Sequence, residues 1–281
     1  MTGTLQAAGL QLRAARHLIR RGRGPLRARL GPLDDRLVFV LGSPRSGTTF
    51  LGSSIGSLPG FVDLGEVTPL KAAIPGLAGL PPDEAAARLR SILETARRLG
   101  LLGGLRALEQ TPETAFVAPA LARAYPAARF VHIVRDGRDV VCSLLERGWL
   151  TAGRGGGDDA GHAYGAKVRF WVESERREEF EEASDARRAA WAWRRYVEAG
   201  RAATERSVET RYEQVANSPD SVAATLAGFL DAPEEPLAEA LRAAHASSIG
   251  RFRHDLTKEQ LEDVEAEAGA LLDELGYLRS V

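Results

Sequence analysis

Hydrophobic and polar positions follow two rhythms along this chain, and the switches between them mark its elements. Leu37-Val38-Phe39-Val40-Leu41 is a continuous apolar run rich in β-formers, the pattern of a strand buried on both faces of a parallel sheet. Phe50, Leu51, Ser54, Ile55 and Leu58 then recur at helical spacing until Pro59-Gly60 stops the helix. Phe61 to Glu66 reads as a second strand, ending in an acid just past a glycine. Residues 69–108 alternate Pro/Gly turns with an Ala/Arg/Leu helix from Asp83 to Leu99. Residues 130–134 form another strand by composition, Asp136-Gly137 is a turn signal, and Val140, Val141, Leu144 and Leu145 begin an amphipathic helix. After a glycine-rich loop at Gly153 through Gly157, the pattern predicts long helices carrying Trp171, Trp191, Trp193 and Tyr196. Thr257 caps the last helix, with Gln260 at its third position.

The turn between the first strand and helix is Gly42-Ser43-Pro44-Arg45-Ser46-Gly47-Thr48-Thr49. A strand, a glycine turn and a helix start aim backbone N–H groups and a positive dipole end at one point, which suits phosphate or sulfate. The Gly-x4-Gly spacing is that of a Walker A loop, but Thr48 stands where the lysine would follow. Arg45 is the only cation in the turn. Such a loop holds an anionic nucleotide and is poorly equipped for metal-assisted phosphoryl transfer. The implied architecture is an α/β, three-layer P-loop-like fold with a central parallel β-sheet flanked by helices.

A second cluster follows the strand at 130–134. Arg135 and Ser143 stand at a strand end and one to two helical turns further on, so they can converge on one anion. Arg147 lies four residues beyond Ser143 on the same helical face. With the loop and with Glu66, these segments resemble the PAPS-dependent sulfotransferases, closest to the branch that includes the protein-tyrosine sulfotransferases and many bacterial small-molecule enzymes. Further likenesses are Arg211-Tyr212-Glu213-Gln214-Val215, the Gly250-Arg251 segment and the closing Leu275-Gly276-Tyr277, so the resemblance spans about Leu37 to Tyr277.

The resemblance implies a set of roles. Arg45, Ser46, Gly47, Thr48 and Thr49 would bind the 5′-phosphosulfate end of 3′-phosphoadenosine 5′-phosphosulfate (PAPS), with PAP as product. Arg135, Ser143 and Arg147 would grip the 3′-phosphate, and Arg251 would close over the nucleotide. Tyr212 either lies near the adenine or is a core ring at a strand end. Glu66 would be the general base that takes the acceptor's proton, with Arg45 as a catalytic cation. No metal is required. One departure is Gln110 in Glu109-Gln110-Thr111-Pro112, where relatives carry a lysine that neutralises charge on the sulfuryl group or bridging oxygen. Glu109 is a lower-ranked candidate base. The implied function is transfer of a sulfuryl group from PAPS to a hydroxyl or amine of a small-molecule, carbohydrate or peptide acceptor. The alternatives are a P-loop small-molecule kinase and a non-catalytic 3′-phosphoadenosine nucleotide-binding protein, the latter kept open by Gln110.

Composition narrows the rest. With 281 residues and 44% hydrophobic content the chain can bury a full α/β core. A net charge of −1 gives no global pull toward nucleic acid. All but three of the 37 basic residues are arginine, the exceptions being Lys71, Lys167 and Lys258. Cys142 is the single cysteine, so no intramolecular disulfide forms and a reducing cytoplasm is acceptable. Residues 1–33 are expected to form a basic N-terminal arm, and 34–281 a single sulfotransferase domain. The arm carries seven arginines between Arg13 and Arg29 but no sustained apolar run. It therefore reads as neither signal peptide nor membrane span; its thin apolar face favours an arm over a basic interfacial helix. A homodimer is left open, and the acceptor is not named by the sequence.

Overall fold

A computed structural model describes residues 36–100, 105–151, 169–202 and 206–278. The expected arm at 1–33 and the Gly153–Gly157 loop lie outside them. Five parallel strands form one sheet in the order β2-β3-β1-β4-β5. They are β1 (Leu37–Leu41), β2 (Phe61–Asp63), β3 (Arg106–Glu109), β4 (Arg129–Val134) and β5 (Ser207–Arg211). The run at 37–41 is β1, the central strand, buried at every position. The expected second strand stops at Asp63, because Gly65 takes a left-handed turn (φ 66°) with its N–H donating to Asp63 Oδ1 at 2.7 Å.

Alternation along β1 splits the core. Val38 and Val40 face a layer built by α1 (Thr48–Gly56), α8 (Tyr212–Asn217), α9 (Pro219–Leu230) and α10 (Glu234–Leu241). Leu37, Phe39 and Leu41 face the opposite layer. There α2 (Thr68–Leu77), α3 (Pro82–Gly100) and α4 (Ala118–Ala124) cover the β2-β3 side of the sheet. The β4 side of the same layer is covered by α5 (Gly137–Arg147), α6 (Arg177–Glu182), α7 (Asp185–Arg201), the short α11 (Phe252–Asp255) and α12 (Lys258–Glu274). The expected helix at 83–99 and the Thr257/Gln260 capping box are both present.

Two connections leave β1's neighbourhood in opposite directions: β3 pairs on one edge of β1 and β4 on the other. A doubly wound sheet binds ligands at such a reversal, beyond the carboxyl ends of its strands. The turn 42–49 leaves β1 at that end.

Candidate anion-binding and catalytic site

The turn after β1 is shaped by close approaches. Gly47 caps α1 in the left-handed region (φ 95°), and a Cβ there would lie 2.7 Å from the Tyr212 ring. A Cβ on Gly42 would lie 2.6 Å from the Ile133 carbonyl oxygen of β4. Arg45 itself adopts φ 70°, a conformation that costs a non-glycine residue about 1–2 kcal/mol. Ser46 is fully buried and its Oγ has no hydrogen-bond partner. Thr48 and Thr49 open α1, Thr48 buried and Thr49 exposed.

The second cluster stands against this turn. Arg135, at the end of β4, donates from Nη1 to the Arg45 carbonyl at 3.3 Å, and its guanidinium lies 4.7 Å from the Tyr212 ring centroid. Its Nε is buried without a partner. Arg45 Nε donates to Ser143 Oγ on α5 at 2.9 Å, and its guanidinium faces the Trp149 ring at 5.9 Å. Arg45, Gly47, Arg135, Ser143 and Tyr212 thus form one contiguous set of contacts that joins the turn to the second cluster. Arg147 is exposed at the last turn of α5.

Residues 245–252 form the opposite wall, held through their backbone. Arg135 Nη2 donates to the Ser248 carbonyl at 2.6 Å, and Tyr212 Oη to the His245 carbonyl at 2.9 Å. Asp139 on α5 accepts from the N–H groups of Gly250 at 2.7 Å and Phe252 at 3.1 Å. Burial raises the Asp139 carboxyl above its ordinary value despite those two amides. Arg251 pairs with Glu146 and, at 2.6 Å, with Asp255, so its charge is engaged at the rim.

On the β2 side, Glu66 follows the Gly65 turn, and its side chain is about one-third exposed (35%). Its Oε2 accepts from Lys71 Nζ at 2.7 Å; Lys71, on the first turn of α2, is 6% exposed and also lies 3.8 Å from Glu113 Oε1. Glu109 ends β3 fully buried. Burial pushes its carboxyl up to about 8, against hydrogen bonds from Thr111 Oγ1, Thr111 N (2.9 Å) and Val67 N (3.4 Å). A Cβ on Gly52 would lie 2.5 Å from Gln110 Oε1, so the Gln110 amide packs on α1.

Several functional supports escaped the sequence reading. Trp193 on α7 donates from Nε1 to the Arg135 carbonyl at 3.0 Å, and a Cβ on Gly137 would lie 2.6 Å from its ring. Trp191, Trp193 and Tyr196 are fully buried on α7, while Trp171 is buried ahead of a short 3-10 turn rather than in a helix. These rings belong to one core cluster. Glu213 accepts from the Asp136 N–H at 2.9 Å and from Tyr277 Oη at 3.1 Å, which ties the Arg-Tyr-Glu and Leu-Gly-Tyr segments to the start of α5. A sequence signal existed here, since both segments had already been singled out. A cavity of about 590 Å³ lies between α2, the 3-10 helix Pro112–Val117 and α7, lined by Pro75, Phe116, Phe170, Trp171, Arg177 and Arg195 among others. No helix among the described residues is long and apolar enough to cross a membrane.

A parallel sheet whose central strand leads through a glycine turn into a helix, with an arginine and a serine from the next strand–helix unit against that turn, defines an α/β protein of P-loop-like fold. The sequence profile of the Sulfotransferase family matches residues 38–236, and the chain belongs to that family. It is a sulfotransferase-family member by sequence and fold. A Caenorhabditis briggsae protein named for protein-tyrosine sulfotransferase activity is 30% identical over 138 residues, 44% of this chain. The chain spans about half the length (48%) of that curated relative. Sulfotransferase STF9 from Mycobacterium avium is similar in structure, with a TM-score of 0.53 at 14% identity, covering 96% of this chain and 83% of that one. The sulfotransferase domain from the curacin biosynthetic pathway gives a TM-score of 0.46 at 17% identity, over 85% of this chain and 96% of its own.

Proposed function

We propose that this protein is a PAPS-dependent sulfotransferase that moves a sulfuryl group to an acceptor hydroxyl or amine, with Glu66 as general base. The observation that carries the reading is the pair of buried polar atoms left without partners, Ser46 Oγ in the turn and Arg135 Nε beside it. A buried polar group without a hydrogen bond costs about 1–3 kcal/mol. Two such groups, one in the turn and one on the arginine that donates to the Arg45 carbonyl, suit an adenosine donor that is anionic at both its 3′ and 5′ positions.

In the reaction the acceptor oxygen attacks sulfur as Glu66 takes its proton. The bond from sulfur to the bridging 5′ oxygen breaks, and PAP leaves with that electron pair. Arg45, Thr48, Thr49 and the amides at the start of α1 stabilise charge on the sulfuryl oxygens and the leaving phosphate. Arg135 and Ser143 hold the 3′-phosphate and so distinguish PAPS from ATP; Arg147 and Arg251 stand further out and serve as rim cations. Tyr212 supports Arg135 through its ring face and offers that edge of the site to the adenine. A metal has no part in this sequence of steps.

A kinase reading loses support from the missing loop lysine and from the family membership. A nucleotide-binding protein without chemistry keeps one specific observation, the neutral and packed-away Gln110. Single-turnover transfer from labelled PAPS across phenolic, sugar and tyrosine-peptide acceptors tests the reading. Calorimetry with 3′,5′-ADP against ATP accompanies it. Transfer, with 3′,5′-ADP preferred at least tenfold over ATP, is expected. Equal affinity for the two nucleotides, or binding with no transfer to any acceptor, overturns it.

A further inference from the structure

Lys71 sits where an ammonium group is costly. Burying a cation costs several kcal/mol unless it is paired, yet this side chain, on the first turn of α2, is 6% exposed. Lys258, the other lysine among the described residues, is exposed on α12. The groups facing Lys71 are acids: Glu66 Oε2 at 2.7 Å from the end of β2, and Glu113 Oε1 at 3.8 Å from the 3-10 helix after β3. Glu109, at the end of β3, completes an acidic corner, since Glu66's charge reaches its carboxyl. Two carboxyl groups from two segments therefore share one buried ammonium, with Glu109 close enough to feel Glu66's charge. Gln110, in the same corner, adds no charge and is packed on Gly52.

We infer that Lys71 is a positioning residue for Glu66, fixing the rotamer of that carboxylate from the first turn of α2. The inference rests on the reading of Glu66 as general base. Glu66 follows a left-handed glycine and is about one-third exposed, and this 2.7 Å contact ties its side chain to α2. A charge-assisted hydrogen bond of that length restricts both partners. Lys71 itself sits on α2, where its backbone N–H donates to the Val67 carbonyl at 2.9 Å.

The test uses the whole chain and its small lysine count. Protein labelled with ¹³C at lysine Cε gives three side-chain signals, one for each lysine, and Lys71→Arg assigns the one that disappears. Glu66→Gln, a substitution at a partly exposed position, should move the Lys71 signal and leave the Lys258 signal in place. An unmoved Lys71 signal overturns the inference whatever the protein's activity. Single-turnover transfer from labelled PAPS to phenol or a tyrosine peptide supplies the second readout. Lys71→Met should lower the transfer rate at least thirtyfold with 3′,5′-ADP affinity unchanged, and Lys71→Arg should recover it to within about threefold. Full activity in Lys71→Met, or an equal loss in Lys71→Arg, overturns the inference as well. Absence of 3′,5′-ADP binding or of transfer by the unaltered protein instead sinks the sulfotransferase reading; the Lys71–Glu66 coupling then stands or falls on the ¹³C signal alone.

Discussion

Arg45 and Ser143 are 98 residues apart in sequence and joined by a hydrogen bond of 2.9 Å, Nε donating to Oγ. The turn after the central strand and the helix after its neighbour thereby close into one surface. Arg135 strengthens that junction by donating to Arg45's own carbonyl. The side chains proposed for the 5′ end and the 3′ end of the donor touch each other, so a change at either end is felt at both.

Arg135→Ala is expected to weaken 3′,5′-ADP binding at least tenfold, because it removes a charge-assisted fork that faces the turn. The same variant frees the Ser248 carbonyl and one face of Tyr212. Isothermal titration calorimetry reads the affinity; an unchanged dissociation constant rejects the assignment of this residue to the 3′-phosphate.

Glu66→Ala should abolish sulfuryl transfer while sparing nucleotide binding, since Glu66 follows β2 and pairs with Lys71 rather than with any side chain proposed for the nucleotide. General-base catalysis contributes about 10²–10⁴-fold, so single-turnover rates with labelled PAPS should fall by that order. Retained transfer moves the base elsewhere, with Glu109 next in line.

Gly47→Ala places a Cβ 2.7 Å from the Tyr212 ring at φ 95°. Both the left-handed backbone and the ring approach oppose it, for a loss of about 1 kcal/mol or more in stability. Because Tyr212 also supports Arg135, nucleotide affinity should drop along with the unfolding midpoint. A variant with wild-type midpoint and wild-type affinity would show that the turn is looser than described.

Glu109 makes stability depend on pH. Its carboxyl is raised by burial from an ordinary 4.5 to about 8, so folding takes up a proton in the interval between those values. The stabilising contribution is complete below pH 4.5, declines as pH rises, and is gone above pH 8. Glu109→Gln keeps the shape and the acceptor oxygen but cannot ionise. Differential scanning calorimetry from pH 5 to pH 8 should therefore show a falling midpoint for the wild type and a flatter line for the variant. Parallel lines would mean the carboxyl is ionised throughout.

The elements around the turn were readable because local signals agree there: a β-branched run, paired glycines, then helical spacing. The parallel sheet, the cap at Thr257 and the strand at 130–134 follow from the same kind of evidence. The end of β2 was overestimated because Leu64 is apolar and buried like a strand residue, while the Gly65 turn that ends pairing depends on φ, which hydrophobic pattern does not record. Trp171 was placed in a helix for a related reason, since its burial resembles that of Trp191 and Trp193. The Trp193 bond to the Arg135 carbonyl joins segments 58 residues apart through tertiary packing, and no spacing rule reaches that far; the Lys71–Glu66 pair is five residues apart but crosses the break between the Gly65 turn and α2, outside any helical spacing.

The wall made by residues 245–252 is fastened by its peptide groups: two carbonyls gripped by Arg135 and Tyr212, two amides gripped by Asp139. Main-chain fastenings do not depend on which side chains the segment displays. The exposed Ala246 and Ser247 can therefore be exchanged with little harm to the wall's path, leaving its outward chemistry open to be rewritten for a different molecule while the fastenings behind it stay as they are.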